Sequence, residues 1–371
     1  MTASLLLAAC GASDDTADPP TETTTEAPTA AEYASAFSEP GPYPVGITTL
    51  ALETGPLVEV WYPAVQGTTG TDTYDMREFT PEAVQALLTG DADSTFTIEA
   101  GRDADAAQGP FPVVLFSHGS AGIRQQSSFL TSHLASWGMV VASPDHPSRD
   151  LNSRLGGGPA EPTDSVDDLL GTLALLGDQN LVGPLAGRMD LDAVGAVGHS
   201  AGGGTVLTAA NDPAIDGYVS MASGVPRSDD APTLPAKPSF FLAGSLDAVV
   251  PPERTRAAFE VAPAPTLLWI IEGVGHNGFD DFCTFGNGQG IIGVAVASGL
   301  GGLLESQPAL RALGEDGCLP PSVPVQETFP MINHAVTSWL RSLFGVDSEP
   351  VGLGPEVADA YAVPVEIEVR D

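Results

Sequence analysis

Apolar residues in this chain gather into eight short runs bounded by Gly, Pro, Ser or Asp. In chain order they are GITTLAL, LVEVWYPA, FPVVLFSHG, GMVVASPDH, DAVGAVGHS, DGYVSMAS, SFFLAGS and TLLWIIEG. The later runs are nearly continuous, the pattern of strands covered on both faces. Between them lie stretches with helical spacing, at 126–137, 165–176 and 252–262. A last helix is expected over 330–344, with Pro330 in its first turn, where a missing N–H does no harm. Strands alternating with helices predict an α/β body over 37–346: an eight-stranded, mostly parallel sheet with helices on both faces. No internal repeat interrupts it.

The two ends read differently. Residues 11–34 are rich in Thr, Glu, Asp, Ala and Pro and carry almost no large apolar side chain, so 10–36 is expected to be a disordered acidic tether. Ahead of it, SLLLAAC resembles the lipobox of bacterial lipoproteins. That resemblance implies a lipid on Cys10, which becomes the mature N-terminus, with 1–9 as a signal. This signal is short and lacks Lys and Arg, so the true start is expected upstream. No run of about 20 apolar residues is present; the longest candidate, 290–304, is too short and too glycine-rich to span a bilayer. Membrane attachment would come only through Cys10, and the expected location is extracytoplasmic, anchored or secreted. At the other end, 347–371 begins as a linker and finishes in the alternating run VPVEIEV. That run suits either an edge strand or a loosely packed tail.

Charge narrows the function classes. The formal net charge over 371 residues is −35, and Lys237 is the sole lysine. Such a surface repels nucleic acid and anionic membranes. A hydrophobic content of 43% is ample for a core.

The fifth run carries the chemistry. It ends in Gly198-His199-Ser200-Ala201-Gly202, with Gly203 and Gly204 following at once. A glycine inside a helix costs about 1 kcal/mol relative to alanine, so this cluster needs a reason. The pentapeptide fits G-x-S-x-G, a strained strand-to-helix turn that exposes a nucleophilic serine. Gly198 and Gly202 are small there because helix and strand nearly touch. A serine hydroxyl needs a base, and the base needs an orienting acid. The seventh run leads into SLDAVVPP, which places Asp247 just beyond its strand; the eighth leads into GVGHNGF, which places His276 likewise. The order Ser200, Asp247, His276 is that of α/β-hydrolases. All three stand at C-terminal strand ends, where open α/β sheets carry their sites.

Other residues compete for these roles. Asp145 ends the fourth run and is the alternative orienter. Asp280 and Asp281 are too near His276 in sequence to sit behind its ring easily. His334 reads as a core or surface histidine of the last helix, and His118, His146 and His199 as residues near strand ends that line the site. None of them has metal-ligand spacing, so no metal is expected. A tetrahedral intermediate needs two N–H donors at its oxyanion. Ala201 supplies one. The loop after the third run, LFSHGSAG, supplies the other, with Ser120 favoured and Gly119 next.

From about residue 43 to 346 the chain resembles α/β-hydrolases of the dienelactone-hydrolase and polyester-hydrolase (cutinase-like) group. GPFPVVLFSHGSAG, HLASWGMVVASPDH, GHSAGGGTVLTAANDPAI and LAGSLDAVVPP carry the likeness. VVLFSHG, HLASWGMVVASPDH and GHNGFDDF also resemble platelet-activating-factor acetylhydrolases, in which the acid usually follows the sixth strand. Here that place reads SMASGVP and has no carboxylate, so Asp247 fits the first group better. The resemblance implies ester hydrolysis without a cofactor; the expected reaction is cleavage of a small-molecule ester through an acyl-enzyme, and the expected state is a monomer. Polyester hydrolases commonly carry aromatic residues where this chain has Ser120 and Gly224, so small neutral acyl esters are expected to be favoured. A phospholipase-like acetylhydrolase or a polyester hydrolase is the alternative. A catalytically silent surface binding protein is the reading from another class, and the full set Ser200, Asp247, His276 argues against it.

Residues 277–328 are more than the first group usually carries before the last helix, and are expected to form a lid or an extra pair of surface helices. Cys283 and Cys318 bracket most of this segment. With Cys10 lipidated, an even pair remains in an exported chain, which suggests a disulfide. Closing a loop of that length would stabilise by about 3–4 kcal/mol on the loop-entropy account. Two buried free thiols are the alternative.

Overall fold

The computed structural model describes residues 29–225 and 233–371. The expected signal over 1–9 and the expected lipid site Cys10 lie outside the described residues, as does most of the expected tether.

Twelve strands form among the described residues: β1 Val45–Ala51, β2 Leu57–Pro63, β3 Asp72–Asp75, β4 Thr95–Ile98, β5 Gly101–Arg102, β6 Phe111–Ser117, β7 Val140–Pro144, β8 Met189–His199, β9 Gly217–Met221, β10 Ser239–Gly244, β11 Thr266–Ile271 and β12 Val365–Arg370. Ten make one sheet in the order β12-β11-β10-β9-β8-β6-β7-β2-β1-β5, and β3 pairs separately with β4. Strands β6 to β11 run parallel, with β2 antiparallel to β7 and β12 antiparallel to β11. The eight predicted strands are β1, β2 and β6 to β11. The sheet exceeds eight because both edges are extended. A two-residue bridge, β5, joins β1, and the VPVEIEV run supplies β12. That last run keeps a period of two: Val365 and Ile367 are buried while Glu366 is exposed. Arg256 pairs with Glu366 at 2.8 Å and also with Glu368, fixing the edge to a neighbouring helix.

Apolar side chains lie on both faces of the central strands, so two cores form. One packs β6 and β8 against helices Ser165–Leu181, Ala201–Ala209 and Pro252–Val261, through Leu169, Leu176, Val206 and Phe259. The other packs the opposite face against helices Ser128–Ser136 and Val325–Leu343, through Leu130, Leu134, Ile332 and Val336. No helix among the described residues is long and apolar enough to cross a membrane.

Two expectations need correction. The last helix starts at Val325, not Pro330, so Pro330 lies inside it. The lost N–H leaves the Gln326 carbonyl without its helical donor, a tolerable loss where the helix is held by an apolar face. The tether gives way before residue 36. Residues Ala30–Ala34 form a capped helix: Thr29 Oγ1 accepts from the Glu32 N–H, and the Glu32 carboxylate accepts from the Thr29 N–H. Just beyond it, two core histidines hold the chain. The Phe37 N–H donates to His334 Nδ1 at 3.1 Å, and His133 Nε2 donates to the Phe37 carbonyl at 2.8 Å.

Burial pushes both of these histidines down to about 4. The unfolded chain therefore takes up protons near pH 6.5 that the folded chain refuses. The stability this neutral pair gives is complete above pH 6.5 and is lost as pH falls toward 4. We expect His334→Gln to flatten that loss by on the order of 3 kcal/mol between pH 7 and 4. Denaturant titrations of both proteins at several pH values check it; parallel curves would refute it.

Candidate active site

Ser200 follows β8 and caps helix Ala201–Ala209, with φ 56° and ψ −119°. A non-glycine residue in that region is strained and persists only where its surroundings hold it. The surroundings are close indeed. A Cβ on Gly202 would stand 1.9 Å from the Ser117 carbonyl oxygen, and one on Gly198 would stand 2.3 Å from the Gly202 carbonyl oxygen. Any larger residue at either place would drive the helix off the sheet.

The structure brings Ser200, His276 and Asp247 together. His276 Nε2 lies 2.9 Å from Ser200 Oγ, and its Nδ1 lies 2.8 Å from Asp247 Oδ2. With Asp247 Oδ2 accepting from Nδ1–H, Nε2 is left to accept from the serine hydroxyl. The second Asp247 oxygen accepts from the Val249 and Val250 N–H groups at 2.9 and 2.7 Å. Asp247 and His276 are buried, while Ser200 keeps partial exposure.

The loop after β6 faces the same point. Among the described residues the Ser120 and Ala201 N–H groups have no hydrogen-bond partner. Both residues flank Ser200, and Ser120 lines the cavity above it. Gly119, the second choice, is committed elsewhere: its N–H donates to Gln126 Oε1 at 2.7 Å.

The competitors are engaged in other work. Asp145 is paired with Arg124 at 3.0 Å. Asp280 accepts from Gln126 Nε2 at 2.9 Å, and Asp281 accepts from the Ser128 hydroxyl at 2.8 Å. Burial raises both carboxyls, Asp281 to about 7. His199 lines the cavity; it accepts from Gln126 at Nδ1 and donates from Nε2 to the His276 carbonyl at 3.0 Å. Burial, and then the neighbouring His276, holds its pKa far down, so it serves as a neutral strut. His118 and His146 do not reach the cavity over Ser200 but lie beneath it. Ser117, His146 and Asp168 form a second Ser–His–Asp chain, at 2.9 and 3.0 Å, but all three are buried and Ser117 Oγ also accepts from Arg149. It is a floor, closed to substrate.

Three residues escaped the sequence reading. Gln126 ties the Ser120 loop to His199 and Asp280. Arg149 donates to Ser117 Oγ, the His118 carbonyl and Thr205 Oγ1, under the elbow. Asp316 reaches in from the segment before the last helix. Its Oδ1 accepts from the His276 N–H at 2.7 Å, its Oδ2 from the Ala248 N–H at 2.9 Å, and its carbonyl from the Asn277 N–H at 2.9 Å. One carboxylate thus joins the loops that carry the acid and the base. Two residues on, Cys318 is bonded to Cys283. No motif marks any of these three; only the nearness of Asp316 to Cys318 hints at a role.

Residues of the 277–328 segment roof the serine. Its helices Gly290–Ala297 and Pro308–Glu315 place Ile291, Ile292, Leu310 and Leu313 in the wall of a cavity of about 30 Å³ over Ser200. A larger cleft, about 530 Å³, lies at the far ends of β10 and β11 and holds none of these groups.

Removing one acceptor atom while keeping shape tests the Asp316 tie. We expect Asp316→Asn to lower kcat for Ser200-dependent turnover by about 10- to 100-fold with KM little changed, because it displaces His276 and leaves the cavity walls alone. Steady-state kinetics decide it. A variant with an intact melting temperature and unaltered kcat would overturn it.

Comparison with known proteins fits this architecture. A sequence model of the family described as platelet-activating factor acetylhydrolase, isoform II, matches residues 40–153. That stretch contains the Ser120 loop and stops before Ser200, Asp247 and His276. No curated protein matches the chain. Among solved structures, a ferulic acid esterase from Streptomyces cinnamoneus superposes with a TM-score of 0.59 at 17% identity, covering 90% of this chain and 98% of its own. The parallel sheet, the strained serine turn after β8 and this superposition agree: the chain has the α/β-hydrolase fold.

Proposed function

We propose that this protein is a serine hydrolase that cleaves carboxylic esters through an acyl-enzyme. The observation that carries the reading is the unbroken path from Ser200 Oγ through His276 to Asp247, at a strained turn that opens on a cavity. His276 Nε2 takes the hydroxyl proton as Ser200 attacks the acyl carbon. The tetrahedral oxyanion is met by the Ser120 and Ala201 N–H groups, which need no reorganisation to receive it. Asp247 fixes the tautomer and favours the imidazolium. His276 then gives its proton to the departing alcohol, and water enters by the same path in reverse.

Substrate size follows from the cavity. A narrow cavity lined by the apolar Ile292, Phe282 and Leu313 favours a small neutral acyl group over a bulky one. The net charge of −35 disfavours anionic esters, an effect that added salt weakens. The family match over 40–153 favours a second reading, a phospholipase-like acetylhydrolase. Its acetyl group is equally small, and the two readings part on the alcohol side. The Cys283–Cys318 bond supports an oxidising compartment, as the proposed lipid on Cys10 requires.

A fluorophosphonate probe is expected to label the protein, and Ser200→Ala to lose both the label and esterase activity, the latter by several orders of magnitude. Asp247→Asn should cost far more in kcat than Asp145→Asn. On p-nitrophenyl esters, acetate and butyrate should exceed palmitate in kcat/KM. Undiminished turnover by Ser200→Ala would end the serine-hydrolase reading. Absence of turnover on every ester, with the probe unreacted, would instead favour a silent binding protein.

A further inference from the structure

Leu151, Ile291, Ile292 and Leu310 each face two cavities. On one side lies the cavity over Ser200. On the other lies a second cavity of about 80 Å³, lined by thirteen residues of which only Thr80 and Gln307 have polar side chains. Its floor comes from Thr80, Val84 and Leu88, in the stretch between β3 and β4, and its roof from the helices of the 277–328 segment. These pieces meet elsewhere too: Phe96 stacks on Phe285, and the Gly286 N–H donates to the Asp93 carbonyl.

Folded interiors retain few voids larger than a water, since each costs stability. This one sits at the margin of the core that packs against helices Ser128–Ser136 and Val325–Leu343, between a chain insertion and the roof, one side chain away from the serine. An apolar space so placed takes an apolar chain. We infer that it is a binding subsite for the hydrocarbon arm of the ester, and that the four shared side chains are a partition setting how long an arm reaches it. The inference rests on Ser200 being the nucleophile and adds which residues decide chain length. Each methylene that passes from water into such a site favours binding by about fourfold. A six- to eight-carbon arm gains from this only where the partition lets it through.

Truncating the partition tests it. Leu310 and Ile291 are partly exposed and sit at the edge of the core rather than inside it, so alanine at either place is expected to leave the fold intact, which the melting temperature checks. Leu310→Ala and Ile291→Ala are assayed on p-nitrophenyl acetate, butyrate and octanoate, and on ethyl, butyl and octyl acetate. The first series lengthens the acyl arm and the second the alcohol arm. In at least one series the long-to-short ratio of kcat/KM should rise tenfold or more in both variants. Adding Ala295→Leu, which fills only the second cavity, to Leu310→Ala should cancel that gain. Ratios within twofold of the parent in both series, with short esters still cleaved, would overturn the subsite and leave the proposed function standing. A gain that survives Ala295→Leu would also overturn it, because the extra room would then lie elsewhere. Failure of the parent protein on every ester would overturn the proposed function and the subsite together.

Discussion

Everything at the candidate site depends on how closely helix Ala201–Ala209 approaches β6. With only hydrogen on the Gly202 Cα, the helix begins almost in contact with the Ser117 carbonyl. That contact forces the turn at Ser200 into its left-handed geometry, and it also fixes where β6 ends beside β8, with Ser117 opposite Gly198. The Ser120 loop continues directly from that end. A serine from one strand and an N–H donor from the next are thereby set by a single steric constraint. Backbone strain at one residue is held by the packing of two elements.

Around this contact the protein holds its polar groups neutral and paired. All six histidines are buried, in a chain whose surface is strongly acidic. Where a direction is resolved, burial lowers the histidines and raises the buried carboxyls, so the network under the site carries little charge. Arg149 is the exception, and burial brings even its guanidinium down to about 10. A scaffold of mostly neutral, closely hydrogen-bonded groups keeps its geometry when charge develops above it, which a mobile or highly charged one would not.

Much of this was legible in the sequence, for definite reasons. The central strands are long apolar runs, and the Gly198–Gly202 pentapeptide is a steric signature, since few backbones need glycines at that spacing. Asp247 and His276 were found by counting strands, which works when each strand end carries a single candidate. β3 and β4 were not legible: DTYD and TFTI are too short and too polar to stand out. The start of the last helix was misread because Pro330 looks like a first-turn proline, and only the apolar face beyond it shows that the helix tolerates the break. Asp316 and Gln126 were hidden because each acts on backbone groups far away in sequence, and no local pattern records such a partner.

The disulfide gives the roof a topology of its own. Cys283 and Cys318 close a covalent ring, and nearly all of the roof hangs from it. The neck of the ring sits beside His276, where Asp316 on one leg holds the backbone at the start of the other. Peptide-bond cleavage anywhere inside the ring would therefore not divide the molecule. The two fragments would stay joined through sulfur at the place where the Asp247 and His276 loops are tied, and the chain would separate only once that bond was reduced.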